Sequence, residues 1–404
     1  MSITYEELYS DLFQAYLDTR KTKKKSEAHI EFYVDLEFNL HRICSAIMAR
    51  EYDPGRAKRF LCEDPVKREV FCSCFAHRVV CRLLYNYLRP LLEPTFIHDS
   101  YSCQVGKGTH VGRERFVHHI RSCSGNYTRR AFVLKGDLSG YFMSIDRKIL
   151  LQIVMTNVRK RLSCRDTLNR RFRDILDMDL IEYLVELVIL RDPLKNCIVI
   201  GTEADFADIP PQKLLQNAPP GVGLAIGDIT SQLFSNVYMN EFDQFAKRAL
   251  HCKHYGRYVD DFYVVSCDKH FLQHVKVAME AYLRRELHLK LNMQKTRIVK
   301  ADYGVEFLGA VVLPFRVYAS ERTVKRFYAK VAELEKACMA DGFPRRGDLP
   351  HMRSVLNSYL GHLQHFNAYN LVRLRLANSP LNRYFAFTPG YTKASFLPGP
   401  LLPS

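Results

Sequence analysis

The chain has 404 residues, enough for two or three lobes with their own hydrophobic cores. Hydrophobic residues make up 47% and charged residues 25%, a balance typical of globular proteins that excludes disordered and fibrous classes. The formal net charge of +16 indicates a polyanionic partner, nucleic acid before a membrane surface, because neutralising phosphates releases condensed counterions.

The N-terminus and the apolar segments bear on the cellular compartment. The first residues, MSITYEELYSDLFQAYL, carry acidic side chains and do not resemble a secretory signal. No run of about 18 uncharged apolar residues occurs, so we expect neither a spanning helix nor a membrane partner. We therefore expect a cytoplasmic protein whose 12 cysteines are free thiols.

Apolar spacing predicts mostly helices in the first half of the chain. Helices are expected over residues 3–18, 27–50, 68–93, 146–162 and 168–190, and a short buried strand over 131–138. The basic run from Lys21 to Lys25 is either a solvated linker or a contact with an RNA backbone. Four prolines within 196–222 predict a long irregular connection.

The second half mixes strands and helices. A helix over 229–250, with Asp228 or Thr230 as its N-cap, precedes a hairpin over 255–266. A helix over 269–289 and strands over 295–300 and 304–313 follow. Residues 321–340 and 349–376 form a helical pair, and the tail from Pro389 is expected to be loosely ordered.

One cluster suggests a zinc site: Cys72, Cys74, His77 and Cys81. It lacks paired CxxC spacing and falls within an apolar helical pattern. We therefore expect no zinc there.

Three carboxylates lie where a strand would end against a turn. They are Asp137 in LKGDLSGYF and the pair Asp260 and Asp261 in RYVDDFYVV. Any one of them alone is explained as a turn former or helix cap. Adjacent carboxylates on a turn repel each other, however, and a divalent cation between them relieves the repulsion. Two such cations about 4 Å apart can activate a 3′-hydroxyl and stabilise a leaving pyrophosphate.

These segments resemble the palm motifs of reverse transcriptases. YVDD between apolar stretches is similar to the family's active-site hairpin, and Asp137 with Phe142 resembles its first palm motif. The resemblance implies an RNA-directed DNA polymerase of α+β class, with an antiparallel palm sheet, helical fingers and a helical thumb. It also implies two Mg²⁺ ions, with Mn²⁺ as the alternative, held by Asp137, Leu138, Asp260 and Asp261.

The resemblance covers about residues 56 to 376 and implies a division into five segments. They are an N-terminal helical extension (1–55), fingers (56–130), a palm (131–320) with an insertion at about 151–222, a thumb (321–376) and a C-terminal tail (377–404).

Several residues match the family's nucleotide-binding positions. Lys67 and Arg68 of DPVKREVF resemble the pair that touches the triphosphate, and Gln232 belongs to the same predicted set. Phe142 resembles the aromatic gate that collides with a 2′-hydroxyl, with simple core packing as the alternative. Lys295 in LNMQKTRIV resembles the lysine that acts as general acid on the leaving pyrophosphate.

Other residues match positions that contact primer or template. Phe307, Leu308 and Gly309 of VEFLGAVV resemble the hairpin that grips the primer end, and Ser231 is assigned to the template side. Basic residues of the expected thumb, Arg322, Lys325 and Arg326, lie where they could follow a duplex. The alternative for these three is a solvated helix face.

The block GLAIGDITSQLFSN narrows the resemblance. Gly227, Ser231 and Gln232 fit the G-x-x-x-S-Q version found in diversity-generating retroelement enzymes. The chain departs from that version at Ala225 and Asp228. Asp228 either alters fidelity or caps the following helix, and we favour the cap.

That lineage makes mutated cDNA copies of a template repeat. It implies an RNA template, a DNA or RNA primer, dNTPs, and a small basic accessory protein that is commonly a pentamer. The alternative enzyme is another bacterial reverse transcriptase, of the group II intron-like or phage-defence type. A catalytically inactive RNA-binding scaffold is a third reading, against which the three intact aspartates and Lys295 argue.

Overall fold

The computed structural model describes residues 2–21, 26–63, 66–339 and 347–397. Most of the predicted basic run, residues 22–25, and the end of the predicted tail, residues 398–404, lie outside the described residues. Within the described ranges, no helix is both long enough and apolar enough to cross a membrane.

Helices form most of the regular structure. In chain order they are α1 (Tyr5–Arg20), α2 (Glu27–Val34), α3 (Leu36–Met48), α4 (Phe75–Leu92), α5 (Thr109–Cys123), α6 (Arg147–Arg161), α7 (Phe172–Ile175), α8 (Met178–Leu190), α9 (Glu203–Phe206), α10 (Ile229–Gln244), α11 (Lys269–Glu286), α12 (Glu321–Met339), α13 (Asp348–Leu363) and α14 (Tyr369–Leu376).

The strands of the described ranges are short and form four sheets. They are β1 (Ala57–Cys62), β2 (Arg68–Ser73), β3 (Phe132–Gly136), β4 (Cys197–Val199), β5 (His254–Tyr258), β6 (Asp261–Ser266), β7 (Arg297–Lys300), β8 (Val305–Phe307), β9 (Ala310–Leu313), β10 (Arg316–Ala319), β11 (Phe385–Phe387) and β12 (Ala394–Phe396). The sheet orders are β2-β1-β4, β10-β9-β8, β11-β12 and β5-β6-β3-β7. The predicted mixed fold with antiparallel sheets is confirmed.

The first sheet corrects two predictions. Residues 68–73 were expected to begin a helix, but they form β2, antiparallel to β1, with Glu69, Phe71 and Ser73 buried at every second position. Pairing with β1 keeps these residues extended, although the apolar spacing of the residues that follow is helical. The helix α4 therefore begins only at Phe75. The segment 196–222 was expected to be irregular, yet its β4 pairs in parallel with β1.

Other expected elements are interrupted. The helix expected over 27–50 breaks at Asp35, the one expected over 168–190 is continuous only as α8, and the final helical segment divides into α13 and α14. The strand expected over 304–313 is a hairpin, β8 and β9, whose turn residues Leu308 and Gly309 have φ of 49° and 75°.

The chain forms two compact units. The first comprises Met1–Gly112, Leu134–Val264 and His270–Arg297. Its central helix is α4, which packs against α1, α6, α8 and α10. Apolar side chains three and four residues apart on α4 are fully buried, including Val80, Leu84 and Leu88, as the amphipathic pattern requires.

The second unit comprises Arg113–Val133, Val265–Lys269 and Ile298–Ser404. Its three-stranded sheet is a meander of β8, β9 and β10. The buried ring of Phe307 packs 5.1 Å from that of Phe116. Arg375 forms a bidentate ion pair with Glu335 that ties α14 to α12. The five segments predicted from the sequence stay predictions, because compactness alone does not define fingers, palm or thumb.

Candidate active site

Two neighbouring strands carry the three predicted catalytic aspartates. β3 ends at Gly136, directly before Asp137, and β6 begins at Asp261 beside it in the sheet. Asp260 lies in the two-residue turn that joins β5 to β6. Because strand ends are rigid and neighbouring strands lie about 5 Å apart, the structure brings these carboxylates into one group.

The electrostatics of this group are unfavourable without a cation. Burial first, and then the charge of Asp137, raise the pKa of Asp260 to about 6. Burial, Asp260 and Asp137 raise the pKa of Asp261 to about 7, although Lys135 partly offsets them. In addition, Oδ1 of Asp261 is buried and has no hydrogen-bond partner among the described residues. Orphaned carboxylate oxygens under mutual repulsion suit a hard divalent cation.

Each carboxylate is also opposed by a lysine. Nζ of Lys295 lies 2.9 Å from Oδ2 of Asp137, and Nζ of Lys135 lies 3.5 Å from Oδ2 of Asp261. The charge of Lys295, and after it that of Lys213, lowers the pKa of Asp260. The predicted general acid Lys295 is therefore at the site.

Sequence reasoning missed Lys135 and Lys213. Lys135 could have been found, because a residue two positions before Asp137 shares its side of the strand. Lys213 lies in the proline-containing insertion, where no periodic pattern indicated which side chains face the carboxylates. Asn292 was also missed, and its main-chain N–H donates to the Asp137 carbonyl at 2.8 Å.

Leu138 follows Asp137 and is buried, forming an isolated bridge with Leu291. Its side chain carries no donor atom. Only its main-chain oxygen could therefore serve as the predicted metal contact.

The hairpin turn is held by a buried ion pair. Arg257, at the end of β5, donates to both carboxylate oxygens of Asp243 at 2.7 and 2.6 Å. Its third nitrogen donates to the carbonyl of Val259 at 2.8 Å, and Ser102 Oγ accepts from the Val259 N–H at 3.1 Å. Val259 has a φ of 55°, a region that β-branched residues rarely adopt. The network holds this strained residue next to Asp260.

Phe142 lies on the loop that follows Asp137. It is half-buried and packs against a small apolar cluster of Phe71, Met143 and Leu215. Its carbonyl accepts a hydrogen bond from the Leu224 N–H at 2.8 Å. The ring is thus anchored on one side and partly uncovered on the other, a placement that both the gate and the packing interpretations allow.

The predicted triphosphate contacts lie on β2 and just before it. Lys67 is exposed and forms an ion pair with Asp208 of the insertion, with Nζ and Oδ2 2.5 Å apart. Arg68 is exposed on β2. Gln232 is exposed on α10, so its side chain is accessible to a ligand.

The segment before α10 runs close to β2. The Phe71 N–H donates to the Ile226 carbonyl at 2.8 Å, and a Cβ on Gly227 would lie 1.8 Å from the Phe71 carbonyl oxygen. Only glycine fits this approach. Ser231 is buried, with 6% of its surface exposed, so the structure places this predicted template residue inside the protein.

The favoured role of Asp228 is not what the structure shows. Asp228 occupies the N-cap position of α10, but its side chain makes no capping hydrogen bond. Its Oδ2 instead accepts from Ser73 Oγ at 2.7 Å. The Ser73 hydroxyl lies on the neighbouring β2 and competes successfully with the helix N–H groups.

The remaining predicted residues belong to the second unit. Phe307 is buried, whereas Leu308 and Gly309 form the tight turn between β8 and β9. Arg322, Lys325 and Arg326 lie in the first turns of α12, where Nζ of Lys325 is 2.6 Å from Glu321. Their predicted contacts with primer and template stay predictions.

The cysteine-containing cluster is arranged differently from the sequence pattern. His77, Cys81 and Asp228, rather than the two further cysteines, have donor atoms within 4.8 Å of one another. Burial, and then the charge of Arg191, lower the pKa of His77 to about 3. The charges of Arg191 and Arg78 also act on Asp228. The positive charges of these two arginines would repel a metal cation, so the electrostatics of the cluster do not favour a metal.

The chain is similar to several known proteins. The chain is 24% identical over 308 residues to Protein YkfC of Escherichia coli (strain K12), covering 68% of this chain and 71% of YkfC. Solved telomerase structures are also similar. That of Candida albicans, in complex with a TWJ fragment of telomeric RNA, has 13% identity and a TM-score of 0.45 over 81% of this chain. The apo telomerase of Candida tropicalis has 12% identity and a TM-score of 0.47 over 79%.

The chain spans 59% of the length of each of those telomerase chains. A family model described as reverse transcriptase (RNA-dependent DNA polymerase) matches residues 67–312, which is more than half of the chain and includes the three aspartates. The protein therefore belongs to the reverse transcriptase (RNA-dependent DNA polymerase) family.

Proposed function

We propose that this protein synthesises DNA on an RNA template by two-metal phosphoryl transfer. The observation that carries the proposal is the group formed by Asp137, Asp260 and Asp261. Two of these carboxylates have pKa values raised to about 6 and about 7, and one buried oxygen of Asp261 has no partner in the part of the chain that the structure describes. The side chains of all three, and the main-chain oxygen of Leu138, would hold two Mg²⁺ ions.

The chain's own residues supply the rest of the chemistry. When bound, the two divalent ions activate the primer 3′-hydroxyl and stabilise the leaving pyrophosphate. Lys295 is a cation at neutral pH, and its hydrogen bond to Asp137, which raises its pKa, holds it beside the carboxylate group. Lys295 can therefore give a proton to the pyrophosphate as it leaves. Lys67 and Arg68 would bind the triphosphate, and Gln232 the nucleotide.

Primer extension tests this proposal directly. Purified protein, an RNA template with an annealed DNA primer, Mg²⁺ and the four dNTPs should give extended DNA. Omission of RNA or of Mg²⁺ should give none. Absence of extension with every primer, together with intact RNA binding, would favour the scaffold alternative instead.

Phe142→Ala should allow ribonucleotides to be incorporated. If the half-buried ring meets a 2′-hydroxyl, its removal deletes the steric conflict that excludes rNTPs. We expect the ratio of kcat/KM for dNTP to that for rNTP to fall by about tenfold or more, since one lost contact of about 1.4 kcal/mol is a factor of ten.

Measuring both ratios on the same primer and template checks this prediction. Met143→Ala is the matched control, because Met143 belongs to the same apolar cluster but is buried. Unchanged discrimination in Phe142→Ala would show that the ring serves packing alone.

Mg²⁺ should stabilise the fold in a pH-dependent manner. The folded-state pKa values of Asp260 and Asp261, about 6 and about 7, lie above the ordinary value of 3.8. The native state therefore binds protons more tightly than the unfolded chain, and metal-free stability falls as pH rises from about 4 to about 7. Above that range the carboxylates are ionised and able to bind Mg²⁺, which relieves their repulsion.

Thermal unfolding with and without Mg²⁺ measures this effect. We expect the Mg²⁺-dependent rise in Tm to be large at about pH 8 and nearly absent at about pH 5, because protons and cations compete for the same oxygens. The rise should disappear when Asp260 and Asp261 are both changed to Asn. A rise equal at both pH values would contradict the assignment.

We also propose that the enzyme serves a diversity-generating retroelement and works with a small basic pentameric accessory protein. The pattern of Gly227, Ser231 and Gln232 supports this lineage. A glycine is needed at position 227 because a Cβ there would clash with the Phe71 carbonyl oxygen. A template repeat and a variable repeat near the gene would test the proposal. Their absence, or self-splicing intron sequence around the gene, would favour the intron-like or phage-defence alternative.

A further inference from the structure

Residues 211–217 of the insertion are fastened to the first sheet. Oε2 of the buried Glu69 on β2 accepts a hydrogen bond from the Leu215 N–H at 2.7 Å. Its other oxygen accepts a hydrogen bond from Arg59 Nε at 2.6 Å, and Arg59 Nη2 donates to Gln216 Oε1 at 2.8 Å. Charge-assisted bonds in a buried setting are strong and directional, so the segment is held in one position.

The same segment touches the loop that follows Asp137. A Cβ on Gly140 would lie 2.5 Å from the Gln212 carbonyl oxygen, so the two backbones are in close contact. Leu215 is buried against Phe71 and Met143, in the cluster that also contacts Phe142. Residues 211–217 are thus held against the loop that follows Asp137.

Lys213 is the exposed cation on this fixed segment. Leu214 and Leu215, which follow it, are buried, whereas Lys213 is exposed. It directly follows Gln212, whose carbonyl oxygen lies against Gly140, three residues after Asp137, so Lys213 lies beside the loop that follows this carboxylate. A lysine carried by a rigid segment loses little entropy of the backbone when it binds an anion, and the anion that must come close to Asp260 during polymerisation is a nucleotide triphosphate.

We propose that Lys213 binds the triphosphate of the incoming nucleotide and that the insertion completes the nucleotide site. This inference rests on the proposed polymerase function and extends it to a residue outside the recognised motifs. Lys213 lies on the insertion, apart from Lys67 and Arg68 at the start of β2 and from Lys295 beside Asp137. The triphosphate is then bound by basic side chains from three separate parts of the chain.

Steady-state kinetics on primed RNA tests the proposal with three variants. Lys213→Gln removes the charge, Lys213→Arg keeps it, and Lys195→Gln is the matched control because Lys195 is an exposed lysine of the same insertion. In Lys213→Gln we expect KM for dNTP to rise about tenfold, as for loss of one charged hydrogen bond. Lys213→Arg should recover most of the affinity, and the control should behave as wild type.

A second readout separates triphosphate binding from a general effect on the carboxylates. Inorganic tripolyphosphate should inhibit wild type competitively with dNTP, and its inhibition constant should rise in Lys213→Gln by the same factor as KM. Affinity for primed RNA should stay unchanged.

Two results would overturn the inference. One is a KM equal to that of Lys195→Gln, and the other is a lower kcat with unchanged KM and unchanged tripolyphosphate inhibition, which would mean that Lys213 only adjusts the charge of Asp260. If wild type itself extends no primer, the polymerase proposal fails, whereas extension by wild type with an unaffected Lys213→Gln removes only this inference.

Discussion

Changing both Asp260 and Asp261 to Asn is expected to lower primer extension at least about a thousandfold, since metal-assisted charge stabilisation contributes several kcal/mol to such reactions. Asparagine keeps the size of the side chains and removes the charges that would hold the ions. Asparagine is also uncharged, so it avoids the cost of burying a charged carboxylate, which raises the pKa of both aspartates. The variant should therefore fold at least as well as wild type while losing its chemistry.

RNA affinity and a neighbouring aspartate provide the controls. Binding rests on the basic surface, so the slope of log affinity against log salt should match wild type. Asp268→Asn changes an exposed carboxylate just beyond β6 and should leave extension intact. More than a few per cent of wild-type extension by the double variant would remove the metal-site assignment.

The carboxylate group was accessible from sequence because its signals are local. A strand that ends in Asp137, and a two-residue turn carrying Asp260, can each be recognised from neighbouring residues alone. Lys295 followed from the family resemblance. That Lys135 shares a side of β3 with Asp137 could be predicted from the two-residue period of a strand. Its ion pair with Asp261 could not, because it depends on how β3 aligns with β6.

The insertion could not be predicted in the same way. Residues 211–217 within it have no periodic pattern, and their positions are set by partners far along the chain, Glu69 on β2 and Gly140 after β3. Asp228 illustrates the same limit. Local rules place a cap at that position, whereas Ser73, 155 residues away, takes the hydrogen bond.

The helix predicted over residues 68–73 was wrong for a different reason. Their apolar positions fit a continuation of the helix that follows, and a short apolar run cannot be assigned to strand or helix by periodicity alone. The pairing of β2 with β1, from Ala57 opposite Ser73 to Cys62 opposite Arg68, decides the outcome. Lys67 directly precedes this strand. Its ion pair with Asp208 joins residues far apart in the chain, so the local sequence could not indicate it either.

Arg257→Met is expected to destabilise the protein by about 3 to 5 kcal/mol, the usual cost of removing one partner of a buried ion pair. Arg257 and Asp243 have 1% and 0% of their side chains exposed. Methionine leaves the Asp243 carboxylate buried with the Tyr255 hydroxyl, at 2.6 Å, as its remaining side-chain donor among the described residues. It also frees the Val259 carbonyl, so the strained turn that carries Asp260 loses a restraint.

Denaturant unfolding of four proteins measures this effect. Adding Asp243→Leu to Arg257→Met should recover most of the lost stability, because no unpaired charge then remains in the core. Arg159→Met, which breaks an ion pair whose side chains are 59% and 42% exposed, should change the free energy of unfolding by less than about 1 kcal/mol. The double variant should still have a lower kcat than wild type, because its stability returns without the hydrogen bond to Val259. A single variant as stable as Arg159→Met, or a double variant no more stable than the single one, would show that this pair does not hold the hairpin.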